Sequence, residues 1–253
     1  VALFGNPRSA WIAGLSGAAM RVGRGKFPRS LAYNLRPGPG EAGDSALMHH
    51  LRTLEPVIGR RPRSLPVLAA PETERRAAKR MLEDRGLGDS CIAILTGATH
   101  ASKEWPESAF VRLAAQIRMD GRYRPVFLGQ PGKRDRLERI RALSNSQVVI
   151  LPELELKALM GLLASCRALV CCDGGIMHLA LALGLPTLAL FGPTEPEIWF
   201  PYEGANHAEL LVQPADCRPC HRHVCDDPFC LEDLDPEQVF RRLLALLERT
   251  EGP

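Results

Sequence analysis

From residue 91 to residue 191 the chain alternates short apolar runs with helix-length segments, and few folds accept that pattern. The runs are Cys91–Leu95, Val126–Leu128, Val148–Leu151, Ala168–Cys172 and Thr187–Phe191. None shows the polar-apolar alternation of a strand with one wet face, so each is predicted to be buried on both. Between them, helices are predicted from Pro106, over Lys133–Leu143, over Leu156–Ser165 and over Ile176–Leu183. In the first of these, Phe110, Leu113, Ala114 and Ile117 make one apolar stripe. Repeated β-α units of this kind predict an α/β fold with a parallel sheet covered by helices on both faces.

The flanks are less regular. Before residue 91 the pattern predicts a buried strand at Val1–Phe4, a helix over Ala10–Ala18 and a short strand near Met20–Val22. A loop over 24–46, a helix over Ser45–Val57 and a charged helix over Pro71–Arg85 complete that part. After Phe191 a cysteine-rich loop leads to an amphipathic helix from Pro236 to about Arg249, with Phe240, Leu243, Leu244 and Leu247 on one face. The expected domains are an incomplete N-terminal one over 1–70, a second over 71–235, and a C-terminal helix and tail over 236–253.

Charge divides along the same line. Residues 1–80 hold 14 Lys/Arg against 5 Asp/Glu, whereas residues 81–253 hold 18 against 24. The first part is suited to anionic partners and the second is not. The uncharged stretch Gly174–Thr194 approaches the length of a spanning helix, about 20 residues. Gly184-Leu185-Pro186 interrupts it, so a helix, a turn and a strand are expected, in a soluble protein. The opening residues do not read as a secretory signal, and the chain is expected to be cut into a fold at Val1.

In parallel sheets ligands bind at the carboxyl ends of the strands, and three such loops carry polar groups. After Cys172 comes Asp173-Gly174-Gly175-Ile176-Met177-His178. Its glycines allow close approach to a helix N-terminus, whose unpaired N–H groups suit a phosphate. Asp173 can accept from sugar hydroxyls, and His178 can donate to a phosphate oxygen. Taken alone, the same residues also read as an N-cap, a turn and a core histidine. After Leu95, Thr99 and Ser102 offer hydroxyls and Lys103 a point charge; after Phe191 comes Gly192-Pro193-Thr194-Glu195-Pro196. That set fits a sugar nucleotide. No G-x-G-x-x-G follows a strand and no Walker loop is present, which argues against dinucleotide redox chemistry and ATP hydrolysis of that type.

The stretch CDGGIMHLALALGLPTLALFGPTEPEIWFP, Cys172–Pro201, resembles the signature of glycosyltransferase family 9, the ADP-heptose:lipopolysaccharide heptosyltransferases. Lys103-Glu104-Trp105-Pro106 is similar to the family's Lys-x-Trp-Pro element, and PRSAWIAGLSGAAMRVG to its N-terminal segment. The resemblance implies a GT-B fold of two Rossmann-like domains and an inverting transfer of heptose from ADP-heptose to the lipopolysaccharide inner core, with no cofactor required. It implies leaving-group stabilisation by Lys103, diphosphate contacts from Thr99, Gly174, Gly175 and His178, and a sugar contact from Asp173. Ser102 and Thr194 complete the expected donor set. Gly174 departs from the usual Ser/Thr, and Ala98 stands where many members place a polar residue. The family's Leu-Gly-Asp loop, with its catalytic Asp, would precede Val1. The catalytic base is therefore unassigned, and the chain is expected to be weakly active or inactive alone. Expected partners are the nucleotide sugar and an anionic glycolipid, lipid A-core, rather than nucleic acid. The expected location is the cytoplasm, with peripheral contact at the inner membrane.

Four of the eight cysteines cluster as Cys217-x2-Cys220-x4-Cys225-x4-Cys230. The spacing allows a structural four-thiolate zinc site, and equally reduced or redox-labile thiols. Family members resemble this stretch too. Cys171 and Cys172 read as core thiols, while Cys91 and Cys166 carry no signal. Two further readings stay open: a family 9 transferase using another nucleotide sugar, and a non-catalytic nucleotide-sugar or nucleic-acid module built round a zinc loop.

Overall fold

A computed structural model describes residues 1–251, of Glu251 the backbone only, so Gly252 and Pro253 of the expected C-terminal tail lie outside the described residues. The helices are α1 (Pro7–Leu15), α2 (Ala46–Arg52), α3 (Glu55–Ile58), α4 (Glu72–Glu83), α5 (Glu107–Asp120), α6 (Arg134–Leu143), α7 (Leu156–Leu163), α8 (Gly175–Ala182), α9 (Pro196–Trp199), α10 (Phe229–Glu232) and α11 (Pro236–Glu251). The strands are β1 (Cys91–Leu95), β2 (Arg124–Phe127), β3 (Val149–Ile150), β4 (Ala168–Cys172), β5 (Thr187–Phe191) and β6 (Ala208–Val212). Contacts divide the chain into two units, one of residues 1–65 with 196–201, the other of 66–195 with 202–253. The division falls between Leu65 and Pro66, and α9 belongs with the first unit.

In the second unit the six strands form one parallel sheet in the order β3-β2-β1-β4-β5-β6. Successive side chains of a strand point to opposite faces. On one face Ile92, Ile94, Val170, Cys172, Leu188 and Leu190 pack with Phe110 and Leu113 of α5 and Val239 and Leu243 of α11. The other parity, Cys91, Ala93, Leu169, Cys171 and Ala189, is equally buried, on the side where α8 lies against β4 and β5. Helix α7 lies against α8 and α4 in turn, and its Gly161 sits against α4. A Cβ there would come within 2.5 Å of the Glu74 backbone, so that close approach requires glycine. The helix expected as a separate C-terminal segment is part of this core.

Two features differ from expectation here. Strand β6 follows an exposed turn at Glu203-Gly204 and pairs with β5 at the sheet edge. Glu209 breaks its apolar run, which hides it from periodicity. Short α10 buries Cys230 and Leu231 just before α11.

The first unit is built otherwise. Val1–Phe4 is not a buried strand: a single parallel bridge joins Ala2 to Gly23, another joins Val22 to Leu35, and Val1 and Phe4 are exposed. An apolar run becomes a strand only where a partner offers a ladder. Helix α1 starts three residues before the expected position, because Asn6 caps it by accepting from the Ser9 amide at 2.8 Å and Pro7 occupies the first turn. The helix expected over Ser45–Val57 is two, α2 and α3, since Pro56 cannot donate to the Arg52 carbonyl. Arg52 is 1% exposed; it donates to the Pro39 carbonyl and pairs with Asp44 at 2.8 Å.

Candidate functional site

The strand order reverses between β1 and β4: β2 continues the sheet on one side and β5 on the other. At such a switch point the two following loops part and leave a crevice. Here three loops meet at one oxygen atom. Lys103, in the loop after β1, donates from Nζ to Asp173 Oδ2 at 2.6 Å. Thr194, after β5, donates from Oγ1 to the same oxygen at 2.7 Å. Asp173 itself directly follows β4 and is buried, as is Thr194. The buried carboxylate thus has a charged and a neutral donor, which offset its desolvation.

Gly174 caps α8 with an extended backbone, φ 174°, which any residue could adopt. A Cβ on Gly175 would meet nothing within 4 Å, and one on Gly174 only the Cys172 carbonyl oxygen at 4.0 Å. Neither glycine is required by crowding within the protein. They leave open space before the first amides of the helix, those of Gly175 and Ile176, which have no intrahelical acceptors. His178, one turn along, has Nδ1 2.7 Å from the Tyr202 hydroxyl. Burial pushes the Tyr202 phenol up to about 12 and holds the His178 imidazole below its ordinary value of 6.5, against the opposing charge of Asp173. Both groups are therefore neutral at pH 7.

The loop that carries Lys103 is braced from behind by residues that were not among the expected donor contacts. Gln130 holds Gly97 from both sides, accepting from its amide at 2.8 Å and donating to its carbonyl at 3.3 Å. Glu104 accepts from the Ala98 amide at 3.1 Å, from Lys133, and from Arg136 at 3.2 Å. Arg136 also donates to the Trp105 carbonyl, and the buried indole of Trp105 donates to the Leu234 carbonyl at 3.1 Å. The strand-end rule pointed to the Gln130 loop. Glu104 and Trp105 lie within the Lys-x-Trp-Pro element, which gave them no bracing role, and Lys133 and Arg136, at the start of α6, had no signal.

The predicted residues thus separate. Lys103, Asp173 and Thr194 come together, Gly174, Gly175 and His178 adjoin them, and Thr99 is exposed on the same loop as Lys103. Ser102 departs from expectation: it is 4% exposed and its hydroxyl donates to the Arg222 carbonyl, so it faces the cysteine-rich loop rather than a phosphate. Of the two readings left open for Cys217, Cys220, Cys225 and Cys230, structural zinc is not supported. Among the described residues no three His, Cys, Asp or Glu converge as metal ligands, and all four thiols are free. Cys217 is exposed, whereas Cys230 is buried in α10. Cys166 and Cys91, silent in the sequence, lie with their sulfurs 3.7 Å apart.

The family model for glycosyltransferase family 9 (heptosyltransferase) matches residues 2–228. The chain belongs to glycosyltransferase family 9. Lipopolysaccharide heptosyltransferase 1 of Pseudomonas aeruginosa is 33% identical over 188 residues, 67% of this chain and 51% of that protein. The chain spans about half the length of the curated relatives it matches. Among solved structures, a family 9 glycosyl transferase from Veillonella parvula superposes with a TM-score of 0.82 at 22% identity, covering 99% of this chain and 73% of that one. The E. coli ADP-heptose lps heptosyltransferase II gives 0.76 at 23% identity, covering 98% and 76%. At these identities the likeness shows the α/β fold of the family; of the two Rossmann-like sheets expected for GT-B, the described residues form the one in the second unit, and the first unit holds only two isolated bridges.

Proposed function

We propose that this family 9 chain carries the donor half of an inverting heptosyltransferase, which moves heptose from ADP-heptose to the lipopolysaccharide inner core. The observation that carries this reading is the convergence of Lys103, Asp173 and Thr194 on one oxygen at the switch point, beside the open N-terminus of α8. The heptosyltransferase names of its relatives support the sugar class.

In this reading the diphosphate lies before the amides of Gly174 and Gly175. Lys103 leaves Asp173 for the phosphate oxygens, where its charge stabilises the departing ADP. Asp173, still held by Thr194, then faces the sugar hydroxyls. Neutral His178 donates to the diphosphate from Nε2 when Tyr202 donates to Nδ1. Thr99 adds a hydroxyl, while Ser102 only positions the loop. No step calls for a metal or cofactor. The acceptor hydroxyl must also lose a proton to a base; we assign that role to no residue of these loops, since Asp173 is engaged by Thr194 and the sugar hydroxyls of the donor. The basic first 80 residues suit a phosphorylated glycolipid. No described helix is long and apolar enough to cross a membrane, and we place the chain in the cytoplasm with peripheral contact at the inner membrane.

Calorimetry tests the reading. ADP should bind in preference to UDP and GDP, and Lys103→Ala should weaken ADP binding about tenfold or more. Preference for UDP or GDP would transfer the site to another nucleotide sugar. Salt-dependent RNA binding without nucleotide affinity would replace it with a nucleic-acid module.

A further inference from the structure

The cysteine-rich loop is a sequence motif that the donor site leaves unused, yet it holds that site from two sides. On one side the amides of Cys220 and His221 both donate to the Pro193 carbonyl, each at 3.1 Å. Arg218 donates from one guanidinium nitrogen to the Thr194 carbonyl at 3.0 Å and from the other to the Gln213 carbonyl at 3.1 Å. On the other side Ser102 is held twice: its amide donates to the His223 carbonyl at 3.3 Å and its hydroxyl to the Arg222 carbonyl. The rings of His100 and His223 stack 3.6 Å apart and 7° from parallel.

Six consecutive residues, Arg218–His223, therefore reach both donors to Asp173. Thr194 is held through its own carbonyl, and Lys103 through its neighbour Ser102. The braces from Gln130 and Glu104 secure the Gly97–Ala98 end of the Lys103 loop, whereas the Ser102 end is held by this segment. The loop in turn has little core of its own: Cys217, His221, Arg222, His223 and Val224 are exposed. A segment with so few buried contacts is ordered mainly by what it grips.

We propose that Arg218–His223 is a clasp of positioning residues that couples the cysteine-rich loop to the nucleotide site. The proposal rests on the donor-site reading and adds regulation to it. Coupling of this kind is reciprocal: loosening the loop weakens nucleotide binding, and bound nucleotide tightens the loop by the same factor.

The thiols supply a readout that a purely structural role does not move. Cys91, Cys171 and Cys172 are fully buried or nearly so, and burial pushes the Cys172 thiol up to about 12, which suppresses its reactive thiolate. Labelling of the native chain by N-ethylmaleimide, followed site by site with mass spectrometry, thus separates Cys217, Cys220 and Cys225 from the partly exposed Cys166 and the buried Cys230. Saturating ADP should slow labelling of Cys220 and Cys225 several-fold. Ser102→Ala and Arg218→Ala should each weaken ADP binding about three- to tenfold and remove that protection. Arg218→Lys, which keeps a donor, should restore part of it. Ser102→Ala changes a single hydroxyl, so thermal melting within a few degrees of the parent shows that the fold survives. If the parent binds ADP while labelling and both affinities stay unchanged, the clasp is overturned and the donor site stands. If the parent does not bind ADP at all, both fall.

Discussion

The two units solve the same folding problem by different means. The second unit hides whole strands: Cys91 to Ile94, Ala168 to Cys171 and Leu188 to Phe191 have no accessible surface. In the first unit Trp11, Leu15 and Phe27 are 69%, 79% and 80% exposed, and two isolated bridges stand where a sheet could be. Local polar devices do the holding there, such as the Asn6 cap and the buried Arg52 guanidinium. Asn34 adds another, accepting from the Arg21 amide at 2.8 Å and donating to the Ala19 carbonyl at 2.7 Å. Apolar burial specifies an entire layer at once, whereas polar devices specify one turn each. The site loops grow from the first kind of scaffold, so their positions are over-determined by the sheet beneath.

Substitutions can break this contrast. Phe110→Ala, in the core of the second unit, should cost about 3–5 kcal/mol in denaturant unfolding, while Trp11→Ala should stay within about 0.5 kcal/mol. Equal costs would mean that the exposed face of α1 is covered in solution. Arg52→Ala should cost about 2–3 kcal/mol, because it leaves the Pro39 carbonyl without its guanidinium donor and the Asp44 carboxylate with the Glu41 amide but no cation. A cost near zero would remove the polar half of the comparison.

A smaller effect follows from His178. Its folded pKa lies below 6.5, so above that value the imidazole is neutral in both states and the contribution to stability is complete. As pH falls past 6.5 the unfolded chain takes up a proton that the folded chain resists, and stability is lost through the folded value. Melting temperatures between about pH 5 and 8 should therefore drop more steeply on the acid side for the parent than for His178→Gln. Parallel curves would show that burial does not hold this imidazole neutral.

Legibility from sequence follows the same division. The bounds of β1, β4 and β5 could be read directly, because unbroken apolar runs end at polar or turn-forming residues there. The family motifs picked out Lys103, Asp173 and Thr194, since a strand end fixes where each loop emerges. Partnership was not legible. Val1–Phe4 has a strand's composition without a ladder, and Ser102 has a ligand-binding hydroxyl that a neighbouring carbonyl accepts instead. The four cysteines have ligand spacing, but one of them is buried in α10. Periodicity describes what a segment can bury, whereas a hydrogen-bond partner from residues 120 positions away becomes visible only in the fold.

The central claim is that the nucleotide binds at the switch point of the second unit, on Lys103, Asp173 and the start of α8. Amide chemical shifts followed by NMR during an ADP titration test it most directly. The account predicts changes over Gly97–Lys103, Asp173–His178 and Pro193–Thr194, with residues 1–65 unmoved and the pattern lost in Lys103→Ala. Changes centred instead on the polar cavity of about 550 Å³ lined by Arg167, His207 and Arg249 at the opposite end of the sheet would contradict it.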